Sequence, residues 1–223
     1  MKQTFICNNY SEMSEKATSL VTKIIKNKDG KFFAAFSGGN GVKGFLELLS
    51  QKKVYWKLVH LFLADERIVP INSEESNYKL INDKFASKVK GLRFFPFDVE
   101  EGLKRYDKTF FSVCNGKLDL IVLSVGSDGH IASIFPHSKE LKSEKEGYLF
   151  VDDSPKPPKN RITLSPNTIQ KANSIVLIFG SEEKRKAFEN FESEKVSIEE
   201  CPAKLCKNAN NLLVLTSFGE QKA

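Results

Sequence analysis

Residues 118–138 read LDLIVLSVGSDGHIASIFPHS. Leu118–Val125 is almost continuously apolar, and the run then breaks into Gly126-Ser127-Asp128-Gly129-His130. An apolar run of this length without alternation fits a strand buried on both faces, as in a parallel sheet. The chain has three histidines, and one follows this strand directly. His130 reads either as the polar tip of a tight turn or as a base held at the mouth of an α/β sheet.

The same pattern recurs along the chain. Phe32–Phe36, Leu58–Ala64 and Ser174–Phe179 are short and nearly continuous in apolar residues, and Leu212–Leu215 adds a further candidate near the C-terminus. Helical spacing lies between them. Ser11 is placed to cap a helix carrying Ala17, Leu20, Val21, Ile24 and Ile25. Val42, Phe45, Leu46 and Leu49 form an i, i+3, i+4, i+7 stripe, and Asn77, Leu80, Ile81 and Phe85 suggest another helix. A helix opens at Glu182, and a short one starts at Cys201-Pro202-Ala203. Alternating strands and helices imply a Rossmann-like, doubly wound α/β fold with a mainly parallel sheet flanked by helices. Residues 152–160, DDSPKPPKN, form a proline-rich loop too short for a domain linker, so residues 1–223 read as a single domain.

Composition narrows the class. With 223 residues and 40% hydrophobic side chains, the chain buries a full core. No apolar run approaches the ~20 residues that span a membrane, and the N-terminus has too short an apolar stretch for a signal peptide. The four cysteines form no CxxC pair, and Cys201 and Cys206 lack nearby histidines, so reduced thiols in a cytoplasmic protein are expected rather than a zinc site. The net charge of +6 comes from scattered lysines, with no basic block interleaved with aromatics. No nucleic-acid partner is expected. A mildly positive field suits a small phosphorylated anion.

In open α/β sheets, ligands bind beyond the carboxyl ends of the strands. After Phe36 comes Ser37-Gly38-Gly39-Asn40-Gly41, which reads as a phosphate cradle of backbone amides or as a plain connector. After Ala64 comes Asp65-Glu66-Arg67, which reads as a solvated strand exit or as an anion grip with a carboxylate to orient a base or a sugar hydroxyl. Asp128 and His130 stand two apart on a tight loop, where a histidine titrates close to neutrality and takes a proton from water. After Phe179 comes Gly180-Ser181-Glu182-Glu183-Lys184, whose lysine is a point-charge phosphate ligand or an exposed cation. His60, inside a strand, reads as a packed core residue, and His137 carries no argument. Singly each site is ambiguous; together they bring a base, carboxylates and cations to the ends of one sheet.

The blocks SGGN, LADERIVPINSEESN, VGSDGHIASIFP, PKNRITLS and GSEEKRKAF, in this order between Phe32 and Phe188, resemble those of 6-phosphogluconolactonases, in a group that includes glucosamine-6-phosphate deaminases. Pro202-Ala203 also fits. The resemblance implies hydrolysis of 6-phospho-D-glucono-1,5-lactone to 6-phosphogluconate in the oxidative pentose phosphate pathway, with no metal and no cofactor. It implies that His130 activates water beside Asp65 and Asp128. It also implies that Arg67, Arg161, Lys184 and the Ser37-Gly38-Gly39-Asn40 loop hold the substrate and its phosphate. A monomer or weak homo-oligomer is expected. The chain departs from the family pattern in places. The usual SGGSTP-like loop here ends Asn40-Gly41-Val42, without its hydroxyl pair and proline. The glycine two before Gly126 is Ser124, the residue after Phe135-Pro136 is His137, and the tail SFGEQKA is atypical. Two rivals remain. A deaminase places a glutamate in an FNEP-like segment, where this chain has Ser133-Ile134-Phe135-Pro136. A non-catalytic sugar-phosphate sensor usually brings a further domain.

Overall fold

The computed structural model describes residues 1–218. Gly219–Ala223, most of the atypical tail, lie outside the described residues. Seven strands form one sheet: β1 (Lys2–Ile6), β2 (Phe32–Phe36), β3 (Val59–Leu63), β5 (Arg93–Phe94), β6 (Leu120–Ser124), β9 (Ser174–Phe179) and β10 (Asn211–Thr216). Their order is β1-β10-β9-β6-β2-β3-β5, and every pairing is parallel. The five strands expected from apolar runs are all present. Leu120–Leu123, Ser174–Phe179 and Val59–Leu63 are buried along their whole length, which is why their sequences do not alternate. His60 is buried in β3 with its ring between those of Phe33 and Phe95 and Nδ1 3.1 Å from the Leu58 carbonyl oxygen.

A second sheet is absent from the sequence reading. β4 (Asp65–Arg67), β8 (Arg161–Leu164) and β7 (Tyr148–Val151) pair antiparallel in the order β4-β8-β7. Asp65-Glu66-Arg67 is therefore a strand and not a solvated exit; Asp65 and Glu66 are buried. One hydrophobic core joins the two sheets, with Tyr148, Ile162 and Leu164 packed into the same cluster as Leu61 and Val122.

The helices are α1 (Tyr10–Lys26), α2 (Lys43–Ser50), α3 (Asn77–Lys84), α4 (Gly102–Cys114), α5 (Pro166–Gln170) and α6 (Arg185–Glu192). α1 starts two residues earlier than a cap at Ser11 implies. Asn9 is its cap and accepts the Glu12 amide at 3.0 Å, and Met13, Ala17, Val21 and Ile25 form the buried stripe. A 3-10 turn, Asn40–Val42, precedes α2, and another, Glu182–Lys184, precedes α6. The segment after Cys201 is 3-10 rather than α, over Pro202–Asn208. α1, α2 and α3 pack in sequence against one another, while α4 lies on β7 and α6 on β9. All four cysteines are free and buried. No helix among the described residues is long and apolar enough to cross a membrane.

The strand order positions the site. From β2 the sheet grows through β3 to β5, and from β6 it grows through β9 and β10 to β1. The order reverses between neighbouring β2 and β6, so the loops leaving them diverge and open a crevice.

Candidate active site

That crevice is a cleft of about 550 Å³. Ser37, Gly38, Gly39 and Asn40 line it from the end of β2, Asp65 and Arg67 from β4, His130 from the loop after β6, Arg161 from β8, and Lys184 from the turn after β9. Nine of the ten residues expected from sequence thus share one cavity, and the tenth, Asp128, touches His130 from behind.

The His130 imidazole is held through Nδ1 by Asp128 Oδ1. The other carboxylate oxygen, Oδ2, lies 3.2 Å from Lys156 Nζ. Burial pushes the Asp128 carboxyl up, but the hydrogen bond and charge of His130, with the charge of Lys156, outweigh it and hold the carboxyl well below the usual range. A carboxylate on Nδ1 keeps the proton there, so in the neutral ring the lone pair is on Nε2. Gly126 makes this packing possible: a Cβ at that position would lie 2.0 Å from His130 Cε1 and Nδ1. The Phe135 ring covers the imidazole, with centroids 4.6 Å apart, and carries the Arg161 guanidinium 5.5 Å from its own centroid.

Asp65 is not the imidazole's partner. Its Oδ2 accepts from Ser133 Oγ at 2.7 Å, and its Oδ1 and carbonyl accept from Asn77 Nδ2 at 3.2 and 2.9 Å. Glu66, next to it, accepts from Ser76 Oγ at 2.9 Å and from the amides of Arg67, Asn77 and Tyr78 at 2.7 Å each. This buried carboxylate ties β4 to the start of α3 and so fixes Arg67 and Asn77 at the cleft wall.

The cations differ in how free they are. Arg161 is committed to the proline-rich loop, donating from Nε to Pro158 O at 2.9 Å and from Nη2 to Lys156 O at 2.9 Å and Pro157 O at 3.2 Å. Arg67 donates from Nη1 to the Glu75 carbonyl, but its Nε is buried with no partner. Lys184 donates to Ser124 Oγ at 2.9 Å, and burial pulls its ammonium down to about 8. The amides of Gly38 and Gly39 have no acceptor among the described residues. Such unused donors around one cleft fit an anion with several acceptor oxygens. No group of three or more His, Cys, Asp or Glu side chains placed to hold a metal ion occurs among the described residues.

Residues 8–215 match the family described as glucosamine-6-phosphate isomerases/6-phosphogluconolactonase. The chain belongs to this family. It is 40% identical over 202 residues to the 6-phosphogluconolactonase of Borreliella burgdorferi, covering 86% of each chain. The crystal structure of 6-phosphogluconolactonase from Leishmania guyanensis superposes with a TM-score of 0.85 over 96% of both chains, at 24% identity. A monomeric glucosamine-6-phosphate deaminase also superposes, with a TM-score of 0.80 and 22% identity over 96% of both chains. At these identities the two structures establish the fold, which both branches of the family share. The two branches are therefore separated by the chemistry of the cleft.

Sequence reasoning missed Lys156, Asn77 and Ser133. Lys156 stands in the sequence only as part of a proline-rich loop, and no local pattern connects it to Asp128. Asn77 falls within a helical pattern; its signal is Ser76, an N-cap that accepts the Lys79 amide and sets Asn77 at the helix start.

Proposed function

We propose that the chain hydrolyses 6-phospho-D-glucono-1,5-lactone to 6-phospho-D-gluconate in the oxidative pentose phosphate pathway. The observation that carries this reading is a histidine oriented by a carboxylate, with its second nitrogen left for a cleft lined by unused anion-binding donors. The 40% identical relative bears the same activity as its name.

In this mechanism the Gly38-Gly39 amides, Lys184 and Arg67 hold the phosphate end and the lactone oxygens. His130 Nε2 takes a proton from water as the water oxygen bonds to the ring carbonyl carbon. Asp128 keeps the imidazole oriented and stabilises its charged form, and Lys156 anchors Asp128. Arg67, whose Nε lacks a partner, or a loop amide stabilises the oxyanion. The tetrahedral intermediate collapses, the bond from carbonyl carbon to ring oxygen breaks, and His130 returns its proton to that oxygen as it leaves as a hydroxyl. Asp65 acts through Asn77, which it fixes at the cleft wall, and through the buried Ser133. General-base catalysis supplies ~10²–10⁴-fold and one oxyanion donor about 3–4 kcal/mol. A reactive lactone needs little more.

The deaminase reading requires a carboxylate after the DGH motif. Ser133 stands in that segment, and its hydroxyl is bonded to Asp65. We further propose a single domain working in the cytoplasm as a monomer or weak homo-oligomer; four free, buried cysteines support a reducing compartment. The test is to generate the lactone enzymatically from glucose 6-phosphate and follow acid release, beside ammonia release from glucosamine 6-phosphate. Acid without ammonia supports the lactonase; ammonia overturns it. Sugar-phosphate binding without either favours the sensor.

A further inference from the structure

Two departures from the family pattern meet in space. Ser124, at the end of β6, stands where the pattern has glycine, and Gly41 stands where the loop pattern has a hydroxyl residue. A Cβ at Gly41 would lie 2.3 Å from Ser124 Oγ and 3.2 Å from both Ser124 Cβ and Lys184 Nζ. A side chain at position 41 would therefore crowd the Ser124 hydroxyl and the Lys184 ammonium.

The Ser124 hydroxyl is also poised as a donor. Its oxygen accepts from Lys184 Nζ at 2.9 Å, and no acceptor for its own hydrogen is found among the described residues. The backbone amide of Ser124 is fixed separately, on Ser37 Oγ at 2.9 Å. Ser124, Gly38, Gly39, Gly41 and Lys184 all line the cleft. An O–H donor beside an ammonium and unpaired amides suits an anion with several acceptor oxygens.

We infer that the Ser124 hydroxyl is a direct ligand of the substrate's phosphate group. The inference rests on the sugar-phosphate lactone reading for its substrate, but its ligand chemistry is testable with inorganic phosphate alone. The alternative is that Ser124 only positions Lys184. A double-mutant cycle separates the two, because a residue acting solely through Lys184 has no effect once Lys184 is removed.

The experiment titrates inorganic phosphate into the purified protein by calorimetry and measures KM and kcat for the phosphorylated lactone, with unphosphorylated gluconolactone alongside. Ser124→Ala is expected to weaken phosphate binding and raise KM by about ten-fold, the worth of one hydrogen bond to a charged group, with kcat and the unphosphorylated lactone unaffected. The loss persists in a Lys184→Ala background. Gly41→Thr loses phosphate affinity by crowding the Ser124 hydroxyl and Lys184. Unchanged phosphate affinity in Ser124→Ala overturns the inference. So does loss of its effect in the Lys184→Ala background. Thermal unfolding of each variant identifies any that fail to fold. A wild-type protein that binds phosphate through Ser124 without lactone turnover supports this inference and removes the lactonase reading.

Discussion

His130 illustrates what one residue's neighbours decide. Its position after a buried strand admits both a turn tip and a base, and the Asp128–Lys156 chain behind it supplies the orientation a base needs. Asp128→Asn is expected to cut kcat by ~10²-fold or more, with the thermal unfolding midpoint little changed; a variant with normal kcat would separate Asp128 from catalysis. Lys184 gives a pH prediction. Burial pulls its ammonium down to about 8, so it is charged below that pH and neutral above it. Phosphate binding above pH 8 must then take up a proton, and KM for the phosphorylated lactone rises with pH from about 8 upward. In Lys184→Arg, whose guanidinium stays charged across this range, that rise disappears. Steady-state kinetics from pH 7 to about 9.5 compares the two.

At the scale of elements, the sequence made the deep strands legible and hid the shallow ones. β6, β9 and β3 are buried on both faces and speak through unbroken apolar runs. β1 is exposed over its first three residues, β5 has two residues, and β4 consists of three charged ones. None carries a periodic signal, because their stability comes from pairing rather than from an apolar face. α4 is a different omission: Tyr106, Phe110 and Cys114 repeat every four residues, and the stripe is readable. The second sheet positions Asp65, Arg67 and Arg161, and it is set by Glu66. Glu66→Gln turns an amide group toward donors that a carboxylate accepts, so we expect a loss of about 2–3 kcal/mol by urea unfolding. KM should rise with it, since Arg67 and Asn77 shift together. An unchanged stability would show that the four contacts to Glu66 do not brace the site.

Across the whole molecule, the buried acids set a limit at high pH. Burial raises the hydroxyls of Tyr106 and Tyr148 and the thiol of Cys206, and pushes Cys114 up to about 11. In the unfolded chain these groups ionise near their ordinary values, about 8.5 for cysteine and 10 for tyrosine. The folded state then holds more protons, so stability is full below those values and falls as pH rises through them. The urea midpoint should decline above pH ~8.5 and steeply above ~10, with the tyrosinate absorbance of Tyr106 and Tyr148 appearing only on unfolding. In a Tyr10→Phe, Tyr55→Phe, Tyr78→Phe background, tyrosinate absorbance in the still-folded protein would contradict the burial of this pair. Most of the cleft was legible because its residues lie at strand ends, where an α/β sheet must bind its ligand. What was not legible came from tertiary folding: the proline-rich loop bringing Lys156 to Asp128, and the strand order bringing Ser124 over Gly41.

The central claim is that His130 activates water against a phosphorylated lactone. The most direct measurement is acid release from freshly generated 6-phosphogluconolactone, corrected for spontaneous hydrolysis, by wild type and His130→Ala side by side. The account predicts rapid release by wild type and a loss of ~10²–10⁴-fold in the variant, with inorganic phosphate still bound by both. Near-normal turnover by His130→Ala would contradict it.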